Sequence, residues 1–204
     1  MIATSRIHPR SVLVVAGACF AALTVAIVVL GSVPADVSVR ETVLALASPA
    51  VVDAMRVVNR AGDWRVLLPG TLLLFVVFRR ARETWWLWAA LMGMAPTLEW
   101  AFKQLVGRTR PESLSLSFPS GHSTAAAAFF GAVMFLADAL PPRVCAWVRA
   151  LAIVMMLLVG LARVILRAHW PSDVLAGIAL GLALAAAAGL LASRRQPHSS
   201  PPRS

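Results

Sequence analysis

The chain has 204 residues, of which 59% are apolar and only 14% charged, and its mean hydropathy is +0.79. A soluble domain is about 45–50% apolar and about 25% charged, so this composition excludes a disordered chain, a disulfide-rich secreted scaffold and most soluble enzymes, and it fits a polytopic helical membrane protein. The net charge of +10 comes from 18 Arg and a single Lys, Lys103; these are not gathered into one basic domain with interleaved aromatics, so they read as loop arginines of a membrane protein and not as a nucleic-acid interface.

Val12 to Leu30 is the first span, 19 residues without a charge against the roughly 20 needed to cross a bilayer. Arg6 and Arg10 lend it the look of a signal peptide. Its apolar core is longer than the roughly 7–15 residues of a signal h-region, which favours an uncleaved signal anchor. Cys19 lies in this span and Cys145 in a short loop; neither has metal-ligand spacing, and no disulfide between them is expected. After the span, Ser48 is placed as an N-cap and Pro49 as the first residue of a helix. Val51, Met55 and Val58 form one face, Asp53, Arg56 and Arg60 the other, and Gly62 ends it. This is an amphipathic helix on the outer membrane surface, read as a connector that buries its apolar face, with a gate over a lipid-facing site as the alternative.

The second span, about Trp64 to Phe78, is short: only Val66 to Phe78 is uncharged, so Arg65, Arg79 and Arg80 are expected to snorkel. The third runs from about Thr84 to Phe102. Trp85, Trp86 and Trp88 mark one membrane boundary and Trp100 the other, and Pro96 is a kink site. The fourth runs from His122 to Ala137, the fifth from Val144 to Ala162 with Arg149 near its start, and the sixth from Val174 to Leu191. The expected fold is all-α, a six-helix transmembrane bundle forming a single domain over residues 1–192. A Pro/Ser/Arg-rich tail, 193–204, is expected to be disordered.

Charge counting orients the bundle. With the N-terminus inside, the inner segments hold ten basic residues against two acids, and the outer segments nine against seven. The positive-inside rule then puts both termini in the cytoplasm of a multi-pass inner (plasma) membrane protein.

Three polar segments fall together on the outer face in this orientation. They are Lys103 to Pro111, Pro119-Ser120-Gly121-His122-Ser123, and Arg163, His169 and Asp173. Ser120-Gly121-His122 opens a helix, whose free N–H groups and dipole attract phosphate. Lys103, Arg110 and Arg163 supply fixed positive charge. Such a clamp stabilises a phosphoryl transition state without a metal. Asp173, four residues after His169, is spaced to orient one ring nitrogen and leave the other nucleophilic. His122, on a different helix, is placed as the general acid.

Lys103-x6-Arg110-Pro111, Pro119-Ser120-Gly121-His122 and Arg163-x5-His169-x3-Asp173 together resemble the three-part signature of the type 2 phosphatidic acid phosphatase superfamily. The match covers about Lys103 to Asp173, and the six-span layout extends it to nearly the whole chain. The resemblance implies a six-helix integral-membrane lipid phosphatase that requires no metal or other cofactor, with its active site facing outward. It implies His169 as the nucleophile forming a phosphohistidine, Asp173 as its orienting partner and His122 as the acid. It implies Lys103, Arg110, Ser120, Gly121 and Arg163 as the phosphate-binding residues. The implied substrates are lipid phosphates or pyrophosphates: undecaprenyl pyrophosphate, phosphatidic acid or phosphatidylglycerophosphate. Ala162 departs from the pattern, since many members carry Ser there, and this removes one hydroxyl contact.

The remaining polar residues have plainer readings. His8 and His198 are structural interfacial histidines. Glu99, one turn before Lys103, is an ion-pair partner for Lys103 or Arg108. Arg167 contacts a lipid headgroup or snorkels. Glu112 and Asp138 are solvated charges. Gly177, Gly181 and Gly189 allow close helix packing. Two alternatives stand beside the phosphatase: a lipid phosphotransferase using the same histidine, and a non-catalytic lipid-binding or transport component. A vanadate-dependent haloperoxidase has a similar anion cradle but is soluble, which the six apolar spans disfavour. The bilayer and the lipid are the expected partners, and the oligomeric state is left open.

Overall fold

Hydrocarbon offers the backbone no hydrogen-bond partners, so each long apolar run closes its own bonds as a helix. The structure is a computed structural model that describes residues 7–194. Nine α-helices are found among the described residues. The first five are α1 (Pro9–Leu30), α2 (Ala35–Ala45), α3 (Pro49–Asn59), α4 (Trp64–Val77) and α5 (Arg79–Glu83). The others are α6 (Trp85–Val106), α7 (Gly121–Leu136), α8 (Pro142–Ile165) and α9 (Pro171–Arg194). Gly31 and Gly107 end α1 and α6 in the left-handed region, with φ of 71° and 67°, where a residue without a side chain carries no steric penalty.

Four helices, α1, α7, α8 and α9, are long and apolar enough to cross a membrane. α6 has 22 residues but carries Glu99 and Lys103 in its last third. α4 has 14 residues and contains Pro69. At 1.5 Å per residue it reaches about 21 Å, short of a hydrocarbon core of roughly 30 Å.

α7 and α9 form the centre. Gly177 and Gly181 of α9 lie against the α7 backbone: a Cβ on Gly177 would stand 2.6 Å from the Ser120 carbonyl, and one on Gly181 would stand 2.4 Å from that of Thr124. Gly189 meets the Phe135 ring, 3.3 Å from the position of its absent Cβ. One apolar cluster gathers Leu74, Trp88, Leu91, Ala128 and Leu136 around the far end of α7. The other joins Phe20 and Ile27 of α1 to Ala176 and Leu180 of α9 and to Phe118. Apolar residues facing outward, such as Val29 and Val76, are exposed, as lipid-facing side chains should be.

The structure departs from the sequence reading at several points. The expectation of an all-α chain misses a two-stranded antiparallel hairpin, β1 (Thr109–Arg110) with β2 (Ser113–Leu116). It also misses α2, whose polar and apolar residues do not separate cleanly enough to mark a helix. Trp88 does not sit in an interfacial belt. It is buried, and its indole N–H donates to Thr84 Oγ1 at 3.1 Å. Cys145 lies inside α8 and is buried, because that helix begins earlier, with Pro142 at its first position. Ser48 caps α3 by accepting from Val51 N at 3.3 Å, but the helix ends at Asn59 and Gly62 closes a following 3-10 turn. Ser193 and Arg194 complete the last turn of α9. The rest of the expected tail, with His198, and the N-terminal residues through Arg6 lie outside the described residues.

Candidate active site

All eight residues singled out in the sequence gather at one end of the bundle. The joint between α7 and α9 begins with Ser120 N donating to Asp173 O at 3.0 Å. This ties the start of α7 to the start of α9. Ser120 is fully buried and accepts from Ser123 Oγ at 3.0 Å. It makes no side-chain cap on α7. The first bond to the Ser120 carbonyl comes from Thr124 N, so the N–H groups of Gly121, His122 and Ser123 stand free at the helix start, where the dipole is positive.

His169 lies between α8 and α9 and is 1% exposed. Its backbone N–H reaches the Arg163 carbonyl at 3.3 Å, at the end of α8. The loop turns through Arg167, whose φ of 58° is in the left-handed region. Ring nitrogen Nδ1 faces Ser117 Oγ at 3.4 Å and Asp173 Oδ2 at 3.6 Å. The second distance is too long for a hydrogen bond and becomes an ion pair only when the ring is protonated. Ser117 Oγ spends its proton on Asp173 Oδ2. Both neighbours of Nδ1 are therefore acceptors, so Nδ1 carries the ring hydrogen and Nε2 keeps its lone pair.

Asp173 is fully buried and has both oxygens engaged. Oδ1 accepts from Arg108 Nη1 at 2.8 Å, and Oδ2 accepts from Ser117 Oγ and from Trp170 N at 2.9 Å. Burial pushes the His169 pKa from 6.5 down to about 4, against the upward pull of Asp173 and with the help of the Arg163 and Arg110 charges.

The cationic side chains differ in how committed they are. Lys103 is ion-paired to Glu99 one turn earlier, one of its two expected partners. That carboxylate lies against Gly121, 2.9 Å from where a Cβ would stand. Arg110, in β1, donates from Nε to the Leu116 carbonyl at 3.3 Å, which leaves its two terminal nitrogens for another acceptor. Arg163 is buried; Nη1 donates to Asn59 Oδ1 at 2.9 Å, while its Nε is buried without a partner. A buried unsatisfied guanidinium N–H is costly, and here it sits beside the uncapped start of α7. The half-buried His122 ring faces this cluster and feels the charges of Arg163, Lys103 and Asp63. Gly62 packs directly on it, with 3.0 Å between the would-be Cβ and the His122 Cβ. The connector between α3 and α4 thus forms a wall of the site.

Four contributors escaped the sequence reading. Asn59 and Ser117 are neutral residues with no motif spacing. Asp36, in α2, is 3% exposed and bonded to Arg108 and Ser172. Arg108 pairs with Asp36 and Asp173 and not with Glu99. Its position two residues before Arg110 was the one signal available. Glu112 is not free in solvent: it holds Arg40 and Arg167. Asp138 pairs with Arg149 at 2.6 Å.

Residues 83–197 match the PAP2 superfamily. Phosphatidylglycerophosphatase B of Bacillus subtilis is 31% identical over 161 residues, spanning 74% of this chain and 79% of that protein. Decaprenylphosphoryl-5-phosphoribose phosphatase of Mycobacterium tuberculosis is 31% identical over 143 residues, spanning 65% of this chain and 73% of the relative. Among solved structures, a transmembrane PAP2-type phosphatidylglycerolphosphate phosphatase from Bacillus subtilis superposes with a TM-score of 0.76 at 28% identity. That superposition covers 94% of this chain and 98% of the other.

Proposed function

Because the chain belongs to the PAP2 superfamily and is a membrane lipid phosphatase, we propose that it hydrolyses a lipid phosphate or pyrophosphate through a covalent phosphohistidine on His169. The observation that carries this reading is the state of that ring. It is buried and neutral, with Nδ1 turned to acceptors and Nε2 bare, next to a helix start and an arginine with unspent donors.

The lipid tail stays in the bilayer while the phosphate enters the cluster. The N–H groups of Gly121 and its neighbours, with Ser120, Arg110, Arg163 and Lys103, surround its oxygens and balance the charge of the transition state. His169 Nε2 attacks phosphorus. The bond from phosphorus to the lipid oxygen breaks, and His122 gives that oxygen its proton. Water then attacks the phosphohistidine, His122 takes a proton from it, and orthophosphate leaves. Asp173 stabilises the ring while it carries positive charge. The arginines supply the electrostatic role that a metal fills elsewhere, so the reaction is read as metal-independent. Two relatives act, by their names, on phosphatidylglycerophosphate and on a phosphoribose lipid. Undecaprenyl pyrophosphate, phosphatidic acid and phosphatidylglycerophosphate are the substrates to test. The six-span layout, with both termini in the cytoplasm and the site on the outer face of the inner membrane, is part of the same proposal and rests on the charge count.

His169→Ala is expected to abolish phosphate release from this lipid panel with EDTA present, while the protein still inserts and keeps its thermal midpoint. An acid-labile phosphoprotein trapped from the wild type should be missing in the variant. Full residual activity would refute the assignment. Phosphate release that drops when an alcohol acceptor is added, with phosphorylated acceptor appearing, would favour the phosphotransferase.

A further inference from the structure

Arg108 differs from Arg110 and Arg163 at this end of the bundle because both of its terminal nitrogens are bonded to carboxylates. Nη2 donates to Asp36 Oδ2 at 2.7 Å. Nη1 donates to Asp173 Oδ1 at 2.8 Å and to Ser172 Oγ at 2.7 Å. Its guanidinium carbon lies 5.4 Å from the centre of the Trp170 ring. Three of its five N–H donors are thus engaged by the protein, two of them on carboxylates. Asp36 in turn accepts from Ser172 N at 2.8 Å and from Ser172 Oγ at 2.6 Å. Ser172 precedes Asp173, so Asp36 grips the first turn of α9 on one side and the guanidinium on the other. Three segments far apart in the chain meet here: α2, the loop after α6, and the start of α9.

We propose that Asp36 and Arg108 are positioning residues of the phosphatase, aligning Asp173 behind His169 through a buried carboxylate–guanidinium–carboxylate chain. This rests on the reading of His169 as nucleophile. The physical argument has two parts. Asp173 touches His169 Nδ1 at 3.6 Å without a hydrogen bond, so small displacements of the carboxylate change the alignment of the ring. Arg108 also shares its single positive charge between two buried carboxylates. How much of the Asp173 charge reaches the imidazole therefore depends on whether Asp36 is there to draw on Arg108. A buried chain of this kind is retained at a cost in desolvation, which a plain apolar contact between α2 and α9 would avoid.

The test uses the full chain in detergent with dioctanoyl phosphatidic acid, following kcat and KM from pH 3.5 to 8. The charged and polar groups facing His169 are Asp173 from α9, Ser117 from the segment before α7, Arg163 from α8, Arg110 from β1 and His122 from α7. Only the Asp36–Arg108 balance is changed. Asp36→Asn should lower kcat on the order of 10- to 100-fold with KM within about threefold. It leaves Arg108 as an uncompensated cation near the ring, so the acid limb should move to lower pH. Arg108→Gln removes that cation and should move the limb to higher pH. The double variant should lose less activity than the two single losses multiplied together.

Opposite limb shifts with unchanged KM support the proposal. Unchanged kcat in Asp36→Asn overturns it. Losses that follow only the folded fraction, with the limb unmoved, also overturn it and mark the pair as a structural staple. If Asp36→Asn does not fold, the limb of Arg108→Gln decides. Full activity in His169→Ala is a separate result: it removes the nucleophile reading whatever the Asp36 variants do.

Discussion

The nucleophile we propose, His169, must present an imidazole nitrogen without a proton, and two influences there work toward that. Burial disfavours the charged ring, and Arg163 and Arg110 repel the added proton, which brings the pKa from 6.5 to about 4 despite Asp173. The sign follows: the ring is neutral above this value and is lost as a nucleophile when the pH falls through it. The acid limb of single-turnover phosphorylation, where the His169 ring gains its proton, should therefore have its midpoint near 4. A midpoint near the ordinary histidine value of about 6.5 would show a solvated ring and contradict the geometry. At this scale Lys103, Arg110, His122, Arg163, His169 and Asp173 were legible in the sequence because their spacing matches a motif, whereas Asp36 and the partners of Arg108 were hidden. Ser117 and Asn59 were not legible either. A neutral hydroxyl or amide has no signature until another chain segment places a partner beside it.

Among the elements, the contact of α7 with α9 holds the site together. Gly181 faces three close atoms of α7, two of them backbone: the Thr124 carbonyl at 2.4 Å and the Ala128 nitrogen at 2.7 Å from its would-be Cβ. Backbone cannot swing aside, so Gly181→Ala must part the helices and should cost about 1–3 kcal/mol of stability. The parting also displaces Ser120, Gly121 and His122 relative to Asp173, and activity should fall further than the folded fraction. Gly17 of α1 has nothing within 4 Å of the same point, so Gly17→Ala should leave the thermal midpoint in detergent unchanged or slightly higher. Equal midpoints for the two variants would contradict this packing account. The long helices were readable from uninterrupted apolar runs, and α3 from its cap and its two-faced spacing. α2 and the hairpin were not. The α2 residues Val37, Ser38, Val39 and Arg40 alternate in character without a continuous stripe, and the strands of the hairpin are two and four residues long.

For the whole molecule, the orientation we propose rests on the charge count. A reporter cysteine at Leu114, which is 92% exposed in the hairpin beside the site, tests that orientation. In a background where Cys19 and Cys145 are replaced, Leu114→Cys should react with an impermeant maleimide on intact cells. Labelling only after permeabilisation would place the site on the cytoplasmic side and reverse the topology. Some properties of this protein follow from the order of its residues alone. They are a membrane-embedded helical chain, the charge asymmetry and a motif-spaced set of Lys, Arg, His and Asp, because hydropathy, charge and motif spacing are local or additive quantities. Others needed the assembled chain. Lys103 is paired with Glu99, Arg108 with two carboxylates, and Arg163 keeps a donor in reserve. Like charges in a sequence are distinguished only by the partners that folding brings within hydrogen-bond reach, and those partners come from segments up to 104 residues away.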